Sequence, residues 1–240
     1  MKVVTVLLYK GTTDNLNVIC GHYGSEKTNI AVNLALSQKA NCPGSVVNIA
    51  DLDIVNPYFR TADAADILKR AGVNAMIPLF ANSNVDIPVM PDAMQTMFDP
   101  DKKDQFSFID VGGDDGAVAL GMYAERIKNC GYGMIYVVSM YRPLTADPKE
   151  AAELLREIEE VSHLKCTGMI NNSSVGAETT AEDVLAAVEW AHTCAECCSL
   201  PLLCHSYYQS LLPELPEIFS AAGYGDEILL PMINVTKQIF

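Results

Sequence analysis

Residues 16–36 read LNVICGHYGSEKTNIAVNLAL, and this stretch decides the fold of the chain. An apolar run ending at Cys20 is followed by GHYGSEKT at 21–28 and then by a helical stretch over 30–36. The order is that of the phosphate-binding loop G-x-x-x-x-G-K-[ST], which connects a buried strand to a helix. The stretch therefore predicts a strand, a loop that holds a phosphate group, and a helix.

Each part of this loop has a predicted role in holding a nucleotide. A glycine at the first position lets the chain turn, the loop amides and the helix N-terminus face the phosphates, Lys27 reaches the β- and γ-phosphates, and Thr28 binds Mg²⁺. The alternative is an ordinary strand-to-helix turn with a chance Lys-Thr pair. The predicted nucleotide-binding residues of the loop are Gly21, His22, Tyr23, Gly24, Ser25, Glu26, Lys27 and Thr28.

Glu26 stands where the template requires glycine. If its carboxylate lay ~4 Å from one phosphate charge, the repulsion would cost about 4 kcal/mol at an effective dielectric constant of 20. If the side chain turned into water, backbone strain of roughly 1–3 kcal/mol would remain. We therefore predict weak ATP binding, slow or absent hydrolysis, and at least tenfold tighter binding after Glu26→Gly.

Composition excludes several classes of protein. The 240 residues are 50% apolar and 19% charged, which is the composition of a folded globular chain. A formal charge of −14 argues against binding to nucleic acid or to anionic lipid. No window approaches the length of a membrane span, and eight cysteines without an export signal indicate the thiols of a reducing compartment. We expect a cytoplasmic protein.

Short β-branched runs alternate with helical patterns along most of the chain, which is typical of a parallel sheet. Asp147-Pro148 and Thr180 with Asp183 begin two predicted helices. We predict an α/β fold with a mainly parallel sheet of six to eight strands, helices on both faces, and one domain over 1–240. The predicted strands are 16–20, 45–50, 75–79, 106–111, 133–140, 164–170 and 200–204.

With its phosphate loop and the segment DLDIVNPYFR at 51–60, the sequence resembles the ParA/MinD/CobQ-CobB-like group of P-loop NTPases, of the SIMIBI class. More narrowly, it resembles ATP-binding proteins of anaerobic bacteria that combine these two segments. The resemblance covers most of the chain, from the first P-loop strand to the strand near residue 204. It implies a three-layer P-loop NTPase fold, with ATP or ADP and Mg²⁺ as cofactors.

The resemblance also implies roles for acidic residues at two further strand ends. In the family, an aspartate at the position of Asp51 or Asp53 orients the attacking water or the water shell of the metal. Asp110-Val-Gly-Gly matches the family's Asp-x-Gly-Gly, in which the aspartate serves Mg²⁺ and a glycine amide, here that of Gly113, senses the γ-phosphate. We expect Lys27 and Asp53 to be catalytic, and Thr28, Asp51 and Asp110 to serve the metal.

Asn171 and Asn172 follow a further predicted strand, where the family uses an asparagine for the adenine base. Taken alone, each of these motifs has a plain alternative. The aspartates at 51 and 53 can cap a helix beginning at Pro57, the Asp-Val-Gly-Gly segment can be a turn, and the asparagines can start a loop. All of them stand at carboxyl ends of predicted strands, where ligands bind in open α/β sheets.

Two departures from the family concern partners. His22 stands where the ParA/MinD subgroup has a signature lysine that reaches across a dimer, which argues against ATP hydrolysis of that cross-dimer type. The chain end at 231–240 forms no basic amphipathic helix, which argues against a MinD-like membrane cycle. A homodimer stays compatible with the sequence, as does an unidentified protein partner.

Cysteine provides one further candidate site. The C-x-x-C spacing can bind zinc or an iron–sulfur cluster, although a helix face and a buried strand end account for the same residues by packing. The residues concerned are Cys194, Cys197, Cys198 and Cys204.

Three functions follow from the sequence. The first is an ATP-binding, Mg²⁺-dependent switch or slow ATPase that acts on a protein partner. The second is a degenerate member that does not hydrolyse ATP and serves as a regulatory or scaffolding subunit. The third, a metal-centre maturation factor, rests on the cysteines alone.

Overall fold

The computed structural model describes residues 15–52, 64–76, 96–98 and 104–235, with only the backbone at 113–115. Asp53, the segment Tyr58-Phe59-Arg60 and the end of the predicted strand 75–79 lie outside these ranges. The catalytic role predicted for Asp53 therefore stays a prediction.

The described strands form one eight-stranded sheet in the order β3-β2-β4-β1-β5-β6-β7-β8. All neighbouring strands pair in parallel. The prediction of a mainly parallel sheet in an α/β fold is confirmed. The strands are β1 Leu16–Cys20, β2 Val46–Asp51, β3 Asn74–Met76, β4 Gln105–Asp110, β5 Gly133–Val138, β6 Gly168–Asn171, β7 Leu202–Tyr208 and β8 Leu229–Met232.

Helices cover both faces of the sheet, as the sequence predicts. Their bounds are α1 Lys27–Asn41, α2 Ala65–Ala71, α3 Gly113–Gly121, α4 Ala124–Cys130, α5 Pro148–Ser162, α6 Ala181–Cys198 and α7 Leu215–Ala221. Ile30 of α1 and Leu68 of α2 belong to a core cluster on one face. Leu120 of α3 and Leu155 of α5 belong to a cluster on the other, to which α6 also contributes. The central strands are covered on both sides, which explains their continuous apolar sequence.

Two helix starts agree with their sequence signals. The Asp147 side chain accepts a hydrogen bond of 2.7 Å from the Lys149 amide, and Pro148 occupies the first helical position of α5. Thr180 and Asp183 form the reciprocal capping box at the start of α6. Each cap satisfies amides that the helix leaves unpaired.

The sequence prediction was wrong at the far edge of the sheet. β7 continues past the predicted end at Cys204 to Tyr208, through His205 and Ser206, which are buried. β8 was not predicted, and it contains Pro231. Because an edge strand tolerates proline and these polar residues break the apolar pattern, periodicity alone does not detect this edge.

The carboxyl ends of the parallel strands lie along one edge of the sheet. Cys20, Asp51, Asp110 and Asn171 end β1, β2, β4 and β6, respectively. β4 lies between β1 and β2, and Ile19 and Asp51 both pair in register with Asp110. The fold therefore brings the start of the phosphate loop next to two aspartates that are distant in sequence.

Candidate functional site: a phosphate loop at the end of β1

The loop 21–26 turns sharply as it leaves β1. Gly21 has a φ of 147°, and a Cβ atom there would lie 2.4 Å from the carbonyl oxygen of Val137 in β5. No side chain fits at that distance, so the first position of the loop requires glycine. The loop is closed by hydrogen bonds from the Ser25 amide, at 3.2 Å, and the Ser25 hydroxyl, at 2.8 Å, to the His22 carbonyl oxygen.

Lys27 is buried at the start of α1, with 2% of its surface exposed. Its Nζ atom donates a hydrogen bond of 3.0 Å to the carbonyl oxygen of His22. The ammonium group is therefore held against the loop backbone, at the end of the helix that favours anions.

Thr28 and Asp110 are brought together by the neighbouring strands. Thr28 Oγ1 donates a hydrogen bond of 2.5 Å to Asp110 Oδ2, and both residues are buried. Asp51 is also buried, and it pairs in register with Asp110 on the adjacent strand. Hydroxyl and carboxylate oxygens are the ligands that Mg²⁺ prefers, so this donor set fits the metal implied by the sequence.

Glu26 adopts the backbone conformation of the glycine it replaces. Its φ of 63° and ψ of 34° are left-handed, and α1 begins at the next residue. A non-glycine residue in this region costs of order 1–2 kcal/mol. The backbone strain that the sequence analysis considered for Glu26 is therefore present in the structure.

The Glu26 side chain is bonded within the protein. The hydroxyl group of Tyr208, at the end of β7, donates to Glu26 Oε2 at 2.5 Å and accepts from Asn29 Nδ2 at 2.8 Å. Burial, and next the charge of the Glu26 carboxylate, raise the pKa of Tyr208. The hydroxyl therefore stays protonated and holds the carboxylate on the β7 side of the loop.

Gly113 is the first residue of α3, and Val111 and Gly112 connect this helix to the end of β4. The Gly116 amide donates to the Gly112 carbonyl oxygen at 2.8 Å, which closes the first turn of this helix. The Asp-x-Gly-Gly segment thus lies at the end of the strand that neighbours β1. The role of the Gly113 amide as a γ-phosphate sensor stays a prediction.

The two asparagines at the end of β6 are hydrogen-bonded inside the protein. Asn172 Nδ2 donates to the carbonyl oxygen of Ser25 at 2.7 Å, and Asn172 Oδ1 accepts from Ser206 Oγ at 2.6 Å. Asn171 contacts His205 and Ser173 instead. In this arrangement Asn172 supports the phosphate loop, and the contact of either amide with a base stays a prediction.

Arg142 is a site residue that the sequence did not single out. A Cβ atom at Gly24 would lie 3.7 Å from Arg142 Nε, so the half-buried guanidinium packs against the loop. In the described part of the chain, Arg142 forms no ion pair with a carboxylate. It lies in a turn after β5, closed by a hydrogen bond from the Ala146 amide to its carbonyl oxygen. Because its place depends on this turn, no local sequence motif indicates it.

The four cysteines named by the sequence do not form one cluster, although Cys194 and Cys198 contact each other on α6. Cys194 belongs to the core cluster on the α5 face, whereas Cys204 belongs to the cluster on the α1 face. Cys197 is exposed on α6. Since the sheet separates the two buried thiols, packing accounts for these residues better than a shared metal does.

Strand β1, its loop and helix α1, with a buried lysine and a Thr–Asp pair, have the architecture of a P-loop domain. No family model matches the sequence, and no curated protein matches it either. Within the described ranges, every helix is too short or too polar to cross a bilayer.

Solved structures similar to the chain include the signal recognition particle receptor FtsY from Elizabethkingia anophelis (18% identity, TM-score 0.41, 72% of this chain and 56% of that one). A second structure of that receptor, in complex with GDP, has 17% identity and a TM-score of 0.41, over 72% of this chain and 55% of that one. The cell division protein FtsY from Thermotoga maritima has 15% identity and a TM-score of 0.47, over 78% and 59%. The chain spans less than two thirds of the length of these structures, and similarities this distant give no information about its function.

Proposed function

We propose that this chain binds a nucleoside triphosphate with Mg²⁺, ATP in the first instance, and acts as a slowly hydrolysing switch on a protein partner. The observation that supports this most directly is the 2.5 Å contact between Thr28 Oγ1 and Asp110 Oδ2, beside the buried Lys27. A hydroxyl group at a helix start and a carboxylate at a neighbouring strand end form the metal side of a phosphate site.

Lys27 supplies the main positive charge of the proposed site. Its ammonium group donates to the carbonyl oxygen of His22 and is thereby held at the loop, where a bound phosphate would offer it a charged acceptor. Hydrogen bonds with a charged acceptor are roughly twice as strong as neutral ones. The chain carries −14 overall, so this local charge has to outweigh the field of the whole protein.

Mg²⁺, when bound, would neutralise charge on the terminal phosphates. Thr28 and Asp110 would hold it, and Asp51, buried beside Asp110, would orient its water shell. The resemblance gives an aspartate at the position of Asp51 or Asp53 the role of orienting the attacking water or this water shell. The protein's own contribution is therefore positioning and charge, which is what phosphoryl transfer requires.

The switch is supported by the position of α3. This helix begins at Gly113, three residues after Asp110 at the end of β4. Val118 and Met122 at its far end are 55% and 56% exposed. A change at the Asp-x-Gly-Gly segment on nucleotide binding would move an exposed apolar surface, which is what a protein partner can recognise.

A second function is favoured by Glu26. With a strained residue at the helix start, the loop can bind nucleotide and yet hold it in a geometry unsuited to hydrolysis. The chain would then be a nucleotide-sensing regulatory or scaffolding subunit. Single-turnover assays separate the two functions, because only the first releases phosphate from bound ATP.

Isothermal titration of the purified chain with ATP and with GTP, each with and without Mg²⁺, tests the proposal. Wild-type protein is expected to bind one Mg²⁺·ATP weakly, and Lys27→Ala to lower the affinity at least thirtyfold, since truncating a buried charged partner costs about 2 kcal/mol or more. Lys149→Ala, which removes an exposed lysine in the first turn of α5, is the matched control. No binding of either nucleotide by the folded protein would reject the proposal.

A further inference from the structure

Two imidazoles and one carboxylate meet at the far edge of the sheet, away from the phosphate loop. His192 lies on α6, His205 on β7, and Glu227 in the turn that precedes β8. One ligand atom from each of the three lies within 4.8 Å of the others. We propose that His192, His205 and Glu227 bind one divalent transition-metal ion of the zinc class.

Both histidines face the same carboxylate through the same ring nitrogen. His192 Nε2 lies 2.7 Å from Glu227 Oε1, and His205 Nε2 lies 3.2 Å from Glu227 Oε2. In a tetrahedral zinc site with metal–ligand distances of about 2.0–2.2 Å, neighbouring ligand atoms are roughly 3.3 Å apart. Both contacts are shorter than this separation, so the side chains have to move slightly apart to admit the ion.

The three side chains differ in burial in a way that suits a metal site. His205 is fully buried, with none of its side chain exposed, whereas Glu227 is 23% and His192 45% exposed. His205 is therefore fixed by the core, while His192 can adjust on the helix surface. The exposed side leaves an entry path and a coordination position for water.

A neighbouring amide can orient the buried ligand. Asn171 Nδ2 lies 2.8 Å from His205 Nδ1, and Asn171 Oδ1 accepts from Ser173 Oγ at 2.6 Å. A half-turn of this amide would offer Oδ1 to a proton on Nδ1, which frees the lone pair of Nε2 for a metal. Such a partner on the far ring nitrogen is the usual support of a metal-bound histidine.

The donor set selects the metal. Two imidazole nitrogens and one carboxylate oxygen suit Zn²⁺, Co²⁺ or Ni²⁺, whereas Mg²⁺ and Ca²⁺ prefer oxygen alone. Cys204 precedes His205 in β7, but it packs in the core cluster on the opposite face of the sheet. The proposed site therefore contains no thiolate.

A metal here would tie the edge of the sheet together. It would link α6, β7 and the turn before β8, which otherwise share a small core cluster that includes Val188, Phe219 and Leu229. Because ions that bind only the folded state stabilise it, zinc is expected to raise the melting temperature of the protein.

Cobalt titration of the metal-free, reduced full-length chain tests the proposal. We expect one Co²⁺ per chain, visible absorption bands without the near-ultraviolet thiolate band, and displacement by Zn²⁺. His192→Gln and Glu227→Gln, both at partly exposed positions, should each lower the Co²⁺ affinity at least tenfold and remove the effect of Zn²⁺ on the melting temperature. Circular dichroism verifies that both variants fold.

His163→Asn is the matched control, because it removes an exposed histidine at the end of α5, outside the cluster. It should bind Co²⁺ as the wild type does. A thiolate band, unchanged affinity in His192→Gln, or no binding of Co²⁺ or Zn²⁺ by the folded wild type would each overturn the proposal. The titration contains no nucleotide, so its failure leaves the proposed function standing.

Discussion

The two candidate sites lie at different parts of one sheet and differ in their donor atoms. At the start of α1 and the ends of β2 and β4, Thr28, Asp51 and Asp110 present only oxygen atoms beside a buried lysine. At β7 and the turn before β8, two imidazole nitrogens share a single carboxylate. The first set suits Mg²⁺ bound to phosphates and the second suits a transition metal. We therefore expect Mg²⁺ with nucleotide to act on the first region and a zinc-class metal on the second, with Asn171, which bonds to His205, between them.

Gly21→Ala should have the largest effect on the phosphate-loop region. The added Cβ would lie 2.4 Å from the Val137 carbonyl oxygen, so loop and strand have to separate. We expect a loss of about 3 kcal/mol in the free energy of unfolding, measured in urea, and no detectable ATP binding. Co²⁺ binding by the fraction that stays folded should be unchanged. An alanine variant as stable as the wild type would show that the loop adopts another conformation.

Tyr208→Phe should have an intermediate effect, because it removes the hydroxyl group that donates a hydrogen bond to the Glu26 carboxylate. A freed carboxylate near the loop repels phosphate, so we expect ATP affinity to fall roughly three- to tenfold. Adding Glu26→Gln should restore it. Calorimetry on the single and double variants measures this coupling.

Tyr207→Phe is the control for this pair, because Tyr207 packs in the core cluster with Phe219 on the other side of the sheet. It should leave ATP affinity unchanged. Equal losses in the two tyrosine variants would mean that general destabilisation, and not Glu26, determines the affinity.

Arg142→Gln should have the smallest effect on the loop region. The half-buried Arg142 side chain packs at Gly24, where its positive charge would attract a phosphate held by the loop. We expect ATP affinity to fall about threefold. The loss should be larger at low ionic strength, because salt screens the attraction between the guanidinium group and a phosphate. Arg70→Gln, on the exposed surface of α2, is the control. Titrations at two salt concentrations distinguish the two variants.

Much of the phosphate-loop region could be predicted from the sequence, because its residues are close in sequence or end apolar strands. The pairing of Thr28 with Asp110 follows from a loop motif and an adjacent strand end. The direction of the Glu26 side chain could not be predicted, since Tyr208 is 182 residues away along the chain. Only the fold places that hydroxyl group beside the loop.

The far region was largely hidden from sequence reasoning. His192, His205 and Glu227 lie on three elements and have no metal-ligand spacing in the sequence. The histidine and serine in β7 also concealed the true length of that strand. By contrast, the cysteine pattern drew attention to Cys204, which the sheet keeps apart from Cys194.

The most direct test of the central claim is ATP affinity as a function of free Mg²⁺, compared between wild type and Asp110→Asn. The claim is that Thr28, at the start of α1, and Asp110, at the end of β4, form a magnesium-dependent phosphate site. Wild-type affinity for ATP should rise with Mg²⁺. Asp110→Asn should lack this rise and bind ATP about tenfold more weakly than the wild type at saturating Mg²⁺, while it keeps its Co²⁺ affinity at the histidine cluster. An ATP affinity that is independent of Mg²⁺ in the wild type, or an equal rise in Asp110→Asn, would contradict the account.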